Sequence, residues 1–299
     1  MSIIKAENLT HIYSQGTPFE VTSLKDISLE IKQGEFYALV GATGSGKSTL
    51  VQLFNGIMAP TRGNLQVCGV DVSNSALRRE LWRKVGLVFQ QPEQQLFEET
   101  VYKDVAFGPI NLGLSVAEVE ERVADALHLV GLEPDRVSDM SPFSLSGGIR
   151  RKVAIAGVLA LHTEVLVLDE PTAGLDPVSR RQLMERIDCL RKERGVTVVL
   201  VSHSMEEVAR WAGRMAVLDH GRLALEGSPL EIFNKSVKLR SVGLDVPLTV
   251  ELMLQLSANG KPVRTDILTT EDAVDEIARL LKQSDKNKDI LSQHETNHD

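Results

Sequence analysis

Several features that are scarce in this 299-residue sequence narrow its class before any motif is considered. Basic residues are fewer than acidic ones, 33 against 41, and the net charge of −8 argues against general nucleic-acid binding, which favours a basic surface. No run of about eighteen apolar residues occurs, so we expect no membrane-spanning segment. The N-terminus carries charges early and lacks a long apolar stretch, so we also expect no signal peptide.

Cysteine is equally scarce, since Cys68 and Cys189 are the only two. The positions of these two cysteines do not suggest a metal site, and both residues lie in apolar stretches of sequence. This pattern predicts buried, reduced thiols and fits a cytosolic compartment. The remaining composition, 42% hydrophobic and 25% charged, is ordinary for a globular protein. The length allows one large domain with an appendage, or two domains.

The most informative segment is Gly41-Ala-Thr-Gly-Ser-Gly-Lys-Ser48, which lies between an apolar run at 36–40 and a helix-like run at 49–55. This is the strand–GxxxxGK[ST]–helix pattern of a phosphate-binding loop, in which glycines let backbone N–H groups approach phosphates. Lys47 is predicted to neutralise the β- and γ-phosphates of a bound nucleotide, and Ser48 to hold Mg²⁺. The predicted nucleotide-binding residues of this segment are Gly41, Ala42, Thr43, Gly44, Ser45, Gly46, Lys47, Ser48 and Thr49.

Two further motifs fit nucleotide chemistry. An apolar run at 165–168 ends in Asp169 and Glu170, which are predicted to bind Mg²⁺ through water and to polarise an attacking water, respectively. Leu145-Ser-Gly-Gly148 precedes a helix expected to begin near Ile149, which predicts a second anion site at a helix N-terminus. The alternative for this segment is a simple helix cap with Ser146 as the capping residue.

The pattern of apolar residues predicts a mixed α/β fold. Short strands are expected within 2–40, where apolar and polar residues alternate at 27–32 as in a half-buried strand. Further strands are expected at 62–72, at 85–89, and at 165–168 and 196–201 in a parallel sheet, with a terminal hairpin at 215–219 and 223–226. A helix is expected at 115–130 with a capping box, and an apolar helix at 153–161. After about residue 240 a small appendage is expected, whose helix at 270–282 carries Val274, Ile277, Ala278 and Leu281 on one stripe.

These motifs together resemble the ATP-binding-cassette (ABC) family. The resemblance implies an α/β P-loop NTPase of ABC type, with a RecA-like core, an antiparallel β-subdomain and an α-helical signature subdomain. The ABC domain would span 3–240, with the helical subdomain at about 91–160. It would be followed by a C-terminal dimerisation appendage at 241–283 and a polar tail at 284–299 that is expected to be disordered.

The resemblance also assigns roles to residues. Ser146, Gly147 and Gly148 would form the signature that reaches across a head-to-tail dimer to the γ-phosphate of ATP on the other subunit. Gln90 would sense Mg²⁺ and the attacking water, and His203 would be a switch residue that contacts the γ-phosphate. Tyr13 would stack on adenine, and Ala173-Gly-Leu-Asp176 would line the dimer interface.

One position departs from the family pattern, because Ile149 stands where the signature usually continues with glutamine. An apolar side chain cannot make the polar contact of a glutamine near the nucleotide on the partner subunit. The serine and both glycines remain, so we expect the partner's site to be tuned rather than inactive.

A narrower likeness, to the ATPases of energy-coupling factor (ECF) transporters and closest to the second ATPase of heterodimeric modules, lies in residues 90–109, residues 153–160 and Thr17-Pro-Phe19. It implies an ATP hydrolase at the cytoplasmic face of the cell membrane that powers uptake of a vitamin, or of cobalt or nickel. The implied partners are a second ABC ATPase subunit, a transmembrane scaffold subunit and a substrate-binding membrane subunit. The alternative is the ATPase of another ABC importer, which uses a separate binding protein.

Three other classes of protein fit the sequence less well. A DNA-maintenance ABC ATPase would need a long coiled-coil insertion between Gln90 and Ser146, and the stretch between them is too short. A translation-factor ABC protein usually carries two cassettes in one chain, whereas one phosphate loop occurs here. A metabolite kinase would have no use for a signature segment at a subunit interface.

Overall fold

The computed structural model describes the backbone of residues 1–295 and the side chains as far as residue 282. The strands are β1 (Ser2–Tyr13), β2 (Val21–Lys32), β3 (Phe36–Gly41), β4 (Arg62–Val67), β5 (Val70–Asp71), β6 (Val85–Val88), β7 (Val165–Asp169), β8 (Thr197–Val201), β9 (Arg214–Asp219) and β10 (Arg222–Gly227). The helices are α1 (Lys47–Phe54), α2 (Ser75–Arg78), α3 (Val101–Asn111), α4 (Val116–Leu129), α5 (Pro134–Val137), α6 (Gly147–Leu159), α7 (Pro177–Arg194), α8 (Met205–Trp211), α9 (Pro229–Phe233), α10 (Ser236–Ser241), α11 (Leu248–Ala258) and α12 (Thr270–Glu295).

The larger sheet has six strands in the order β10-β9-β3-β8-β7-β6. Neighbouring strands from β9 to β6 pair in parallel, whereas β9 and β10 form the antiparallel hairpin that the sequence predicts. The central strands β3, β7 and β8 are buried along their whole length, because helices cover both faces of the sheet. The phosphate loop and the Asp169–Glu170 pair therefore follow strands that are separated only by β8.

A second sheet is antiparallel, in the order β2-β1-β4-β5. Its long strands β1 and β2 have twelve residues each, where the sequence suggests short strands. Along the end of β2, buried residues alternate with exposed ones, as predicted for 27–32. The apolar side of this sheet shares one core cluster with α1 and the facing side of β3, so the two sheets enclose the start of α1.

Helices α3 to α6 form the helical layer predicted at about 91–160, and its apolar core continues onto α7 and the large sheet. Ser115 caps α4 and forms the predicted capping box with Glu118. None of the described helices combines the length and the apolar character needed to cross a bilayer.

The C-terminal region begins within the core of the large sheet. Val246 and Val250 pack in one cluster with Val40 of β3 and Val217 of β9, and a small separate cluster of the described residues forms beyond them. The helix α12 extends to Glu295, past the predicted end at residue 282, so helix occupies part of the tail that is expected to be disordered. Residues 296–299 of that predicted tail lie outside the described residues.

One burial prediction is wrong in this part of the fold, and another stays a prediction. Of the predicted stripe of α12, Ile277 packs against the small cluster beside Ala273, whereas Val274 and Leu281 are 60% and 59% exposed, so their burial against a partner stays a prediction. Cys189 is also exposed, because it lies off the buried stripe of α7. Cys68 is half-buried against the core between the two sheets, and burial raises the pKa of its thiol to about 12.

Candidate active site

The phosphate loop connects β3 to α1 at the end of the sheet where the parallel strands terminate. Its first glycine, Gly41, has no room for a side chain, since an added Cβ would lie 2.4 Å from the Leu218 carbonyl oxygen and 2.5 Å from Ser45 Oγ. Gly46 has a φ of 104°, and an added Cβ would lie 2.7 Å from Leu24 Cδ2. Both positions therefore require glycine, and the close contacts fix the shape of the loop.

Hydrogen bonds between backbone groups hold the loop between the two sheets. The Gly221 N–H, in the β9–β10 turn, donates to the Ser45 carbonyl at 3.0 Å, and the Lys25 N–H donates to the Gly221 carbonyl at 2.8 Å. A Cβ on Gly221 would lie 2.5 Å from the Ser23 carbonyl oxygen. Three segments that are distant in sequence thus meet at one point beneath the loop.

Two polar groups of the loop are available for an anion. The buried Ser45 hydroxyl makes no hydrogen bond to any described residue. Lys47 Nζ donates to the carbonyls of Gly41 and Ala42, at 2.7 and 3.0 Å, so the ammonium group is folded over the mouth of the loop. Burial lowers the pKa of Lys47, and the charges of Asp169 and Glu170 oppose that shift. A bound phosphate would replace the carbonyls as the partner of this cation.

Asp169 lies at the end of β7 and is buried. Its Oδ2 is 3.5 Å from Ser48 Oγ. Burial raises the pKa of Asp169, the charge of Glu170 raises it further, and Lys47 opposes both. A carboxylate and a hydroxyl at this separation fit Mg²⁺, a hard cation that takes oxygen ligands. Among the described residues no cluster of three or more His, Cys, Asp or Glu side chains could hold a metal ion alone, so phosphates and water would complete the coordination.

Glu170 brings two other predicted residues to the site. Its Oε2 accepts a hydrogen bond from Gln90 Nε2 at 3.2 Å, and its Oε1 is 3.1 Å from His203 Nδ1. The backbone of Glu170 has a φ of 50°, a left-handed conformation that non-glycine residues seldom adopt outside functional sites and turns. The three predicted catalytic side chains thus form one connected group.

The space around the signature segment is open. Ser146 occupies the N-cap position of α6, but its hydroxyl makes no capping hydrogen bond. The alternative that Ser146 is a simple helix cap therefore explains where the residue lies but gives its hydroxyl no partner. Nothing lies within 4 Å of a Cβ added to Gly147 or Gly148, and Ser146 is exposed. Ile149 is partly buried against the core of the helical layer, which gives its apolar side chain a packing role.

Tyr13 lies at the end of β1, beside the first turn of α1. Its hydroxyl is 3.0 Å from Thr49 Oγ1 and 3.4 Å from Met58 Sδ. The His11 ring meets it edge to face, with ring centroids 4.7 Å apart. Tyr13 therefore borders the phosphate loop through Thr49, and its stacking on adenine stays a prediction.

Sequence reasoning missed Arg151, on the first turns of α6. This arginine is 6% exposed, and its guanidinium donates to the carbonyls of Gln90 at 2.9 Å, Pro171 at 3.0 Å and Glu170 at 2.5 Å. Burial lowers its pKa, against the charges of Glu93 and Glu170. The residue ties the signature helix to both catalytic segments. The available signal was an arginine on the buried side of a largely apolar helix.

An apolar groove of about 480 Å³ lies on the helical layer, with Phe97, Phe107 and Trp82 among its lining residues. Phe97 is 57% exposed and meets Phe107 edge to face, whereas the adjacent Leu96 is buried in the core. Glu99 pairs with Lys103 at 2.7 Å. The 3₁₀ turn Pro92–Gln95 connects this surface directly to Gln90.

Together, the phosphate loop, the strand-end carboxylates and the signature helix define an ATPase of the ABC type. The model of the ABC transporter family matches residues 24–173. The energy-coupling factor transporter ATP-binding protein EcfA2 of Clostridium tetani is 49% identical over 285 residues, which cover 95% of this chain and 99% of the relative. The EcfA2 protein of Bacillus licheniformis is 45% identical over 94% of this chain and 98% of its own length.

Solved structures of ABC ATPases have the same fold as this chain. CbiO1 of Clostridium perfringens, described as part of the ABC transporter complex CbiONQ, superposes with a TM-score of 0.70 at 38% identity, over 85% of this chain and 99% of that one. The dimeric ATP-binding cassette MJ0796 bound to ADP and phosphate gives 0.68 at 31% identity, over 76% and 98%. This chain belongs to the ABC transporter family, within the group of energy-coupling factor transporter ATP-binding proteins, and is an ATP hydrolase.

Proposed function

We propose that this chain is the ATP-hydrolysing subunit of an energy-coupling factor importer, which powers uptake of a micronutrient through partner membrane subunits. The proposal rests mainly on sequence identity of 49% to two EcfA2 proteins over almost the full length of both chains. The micronutrient is a vitamin, or cobalt or nickel. The chain works at the cytoplasmic face of the cell membrane, held there by its partners.

In the proposed reaction, the phosphate loop and Lys47 bind the phosphates of ATP, and the N-terminal end of α1 adds a favourable dipole. Ser48, Asp169 and Gln90 would hold Mg²⁺, which neutralises charge that develops on the phosphates. Glu170 accepts a proton from the attacking water, and its contacts with Gln90 and His203 orient the carboxylate.

We propose that the signature segment of this chain acts on ATP that is bound to a second ABC ATPase subunit. Ser146, Gly147 and Gly148 present a hydroxyl and helix N–H groups to the nucleotide that the partner holds. The dimer is head to tail and a heterodimer. Since Ile149 packs against the helical core, the partner's site keeps its phosphate contacts and loses one polar contact.

The apolar groove beside Phe97 is the proposed docking surface for the transmembrane scaffold subunit. Exposed aromatic rings and the acidic Glu98 and Glu99 suit an amphipathic helix that carries basic residues. Changing Glu98 and Glu99 together to Lys should weaken capture of the scaffold and reduce uptake, whereas ATP affinity of the isolated subunit should not change. The matched control reverses Glu120 and Glu121, which are exposed on α4. Undiminished scaffold capture, or an equal loss of ATP affinity, would contradict the assignment.

Co-purification tests the transporter type. Expression with the neighbouring membrane subunits should yield a complex that contains a scaffold shared with small substrate-binding membrane proteins. A complex that depends instead on a periplasmic-type binding protein would favour the alternative, the ATPase of another ABC importer. Uptake into proteoliposomes with ATP on the side of this subunit identifies the substrate.

A further inference from the structure

Glu207 is a buried carboxylate that the proposed reaction does not use. It lies on α8, four residues after His203 in the chain, and is 7% exposed. A buried carboxylate is costly unless it accepts hydrogen bonds or pairs with a cation. The partners of Glu207 therefore show what its burial accomplishes.

Both carboxylate oxygens of Glu207 accept hydrogen bonds from hydroxyl groups. Thr172 Oγ1 donates to Oε1 at 2.6 Å, and Ser202 Oγ donates to Oε2 at 3.0 Å. Both hydroxyl-bearing residues are buried as well. Arg180 Nε, on α7, lies 3.8 Å from Oε1 and provides the nearby positive charge.

The two donors belong to the two segments that carry the catalytic pair. Thr172 follows Glu170 by two residues, in the turn between β7 and α7, and Ser202 directly precedes His203 at the end of β8. Ser202 Oγ also accepts a hydrogen bond from the Ser204 N–H at 3.0 Å, which shapes the bend that presents His203. One carboxylate thus bridges the turn after Glu170 and the turn around His203.

We propose that Glu207 is a positioning residue that fixes the separation between the Glu170 carboxylate and the His203 imidazole. The left-handed backbone of Glu170 needs support from its surroundings, because few residues adopt it spontaneously. His203 is 72% exposed, so its own packing cannot hold it 3.1 Å from Glu170. The hydrogen bonds of Glu207 are charge-assisted and shielded from water, which makes them suited to both tasks. The inference rests on the proposed roles of Glu170 and His203.

The experiment measures ATP hydrolysis by the assembled transporter complex with Glu207→Leu, which keeps most of the volume and removes both acceptors. We expect kcat to fall about tenfold or more while KM for ATP changes less than about twofold, since displacement of a catalytic group by a fraction of an ångström affects the reaction more than binding. Glu206→Leu, on the exposed side of the same helix, is the matched control and should leave both constants unchanged.

A second set of variants covers the case in which Glu207→Leu fails to fold. Thr172→Val removes one donor at nearly constant shape and should lower kcat, whereas Thr172→Ser restores the hydroxyl and should recover at least about half of the rate. Unchanged kcat in folded Thr172→Val and Glu207→Leu would overturn the proposal.

A mutant cycle separates positioning from general stability. In a His203→Ala background, Thr172→Val and Glu207→Leu should each lower the residual kcat by less than about threefold, because one of the two groups whose separation they fix is gone. An equal fall in both backgrounds would show that Glu207 acts through fold stability and would overturn the proposal. Near-normal hydrolysis in Glu170→Gln or His203→Ala would instead contradict the proposed catalytic roles.

Discussion

Replacement of Glu170 by glutamine tests the central step of the proposed reaction with the least disturbance of structure. The substitution keeps the shape of the side chain and removes only its ability to take up a proton. The amide oxygen can still accept from Gln90 Nε2, and the contact that is lost, to His203, involves a ring that is 72% exposed. Exposed pairs of this kind contribute about 0–1 kcal/mol. We therefore expect the melting temperature to change by less than about 3 °C.

The rate should respond far more strongly. A positioned general base contributes about 10²–10⁴-fold, which corresponds to about 3–5.5 kcal/mol of barrier at 1.36 kcal/mol per factor of ten. Turnover of the assembled complex should fall by at least about two orders of magnitude. ATP affinity should stay within about threefold, since the phosphate loop and Asp169 are intact. The ATP-bound dimer should then persist in its closed form.

The assay compares phosphate release, ATP binding at equilibrium and dimer content by size-exclusion chromatography with light scattering. Glu164→Gln is the matched control, because Glu164 precedes the opposite end of the same strand and is far from the phosphate loop. It should leave all three measurements unchanged. Hydrolysis by Glu170→Gln above about one third of the normal rate would refute the role of this residue, as would a parallel loss of ATP affinity.

Three further predictions concern other parts of the fold. Burial and the charge of Glu170 raise the pKa of Asp169 above its ordinary 3.8. The stability that this group contributes is therefore present below pH 3.8 and is lost as the pH rises through the higher pKa of the folded state. Asp169→Asn should raise the melting temperature of nucleotide-free protein at pH 7, by a difference that shrinks toward pH 4 in thermal unfolding experiments, while hydrolysis stops. Maleimide should modify the exposed Cys189 well before Cys68, whose thiol has a pKa of about 12, and mass spectrometry of partly labelled protein checks the order. Changing Val274 and Leu281 together to serine should weaken association with the partner ATPase by about tenfold or more in sedimentation experiments. The melting temperature of the isolated subunit should stay the same, because both side chains are exposed. Unchanged association would exclude these two residues from the dimer contact.

The sequence predicts those parts of the fold that depend on local pattern. The β-branched and leucine-rich runs at β7 and β8 and the capping box of α4 follow from periodicity and spacing within a few residues. The phosphate loop and the carboxylate pair are predictable for the same reason, since each is a short segment whose chemistry requires fixed residue types.

The parts that sequence reasoning misses depend on contacts between distant segments. Arg151 and Glu207 are charged residues in the interior, and each is stabilised by carbonyl or hydroxyl groups brought together by the sheet order. Nothing in the neighbouring sequence indicates those partners. For Cys189 a local signal did exist, because the buried residues of α7 follow a helical stripe that excludes it. For α12 two apolar stripes compete, and only packing decides which one faces the protein.

The meeting point of three backbone segments beneath the phosphate loop has a consequence for biosynthesis. The loop is complete near residue 48, yet Gly221, which donates to the Ser45 carbonyl, is translated much later. Domains fold as the chain leaves the ribosome, and the segment from Ser23 to Ser48 must wait for that hairpin before its backbone is fully held. A nascent chain arrested before Gly221 emerges will therefore have a poorly formed nucleotide site, and the ability to retain ATP marks the moment at which the last strands dock. The chain thus acquires its ligand only when the sheet that carries its catalytic carboxylates is already in place.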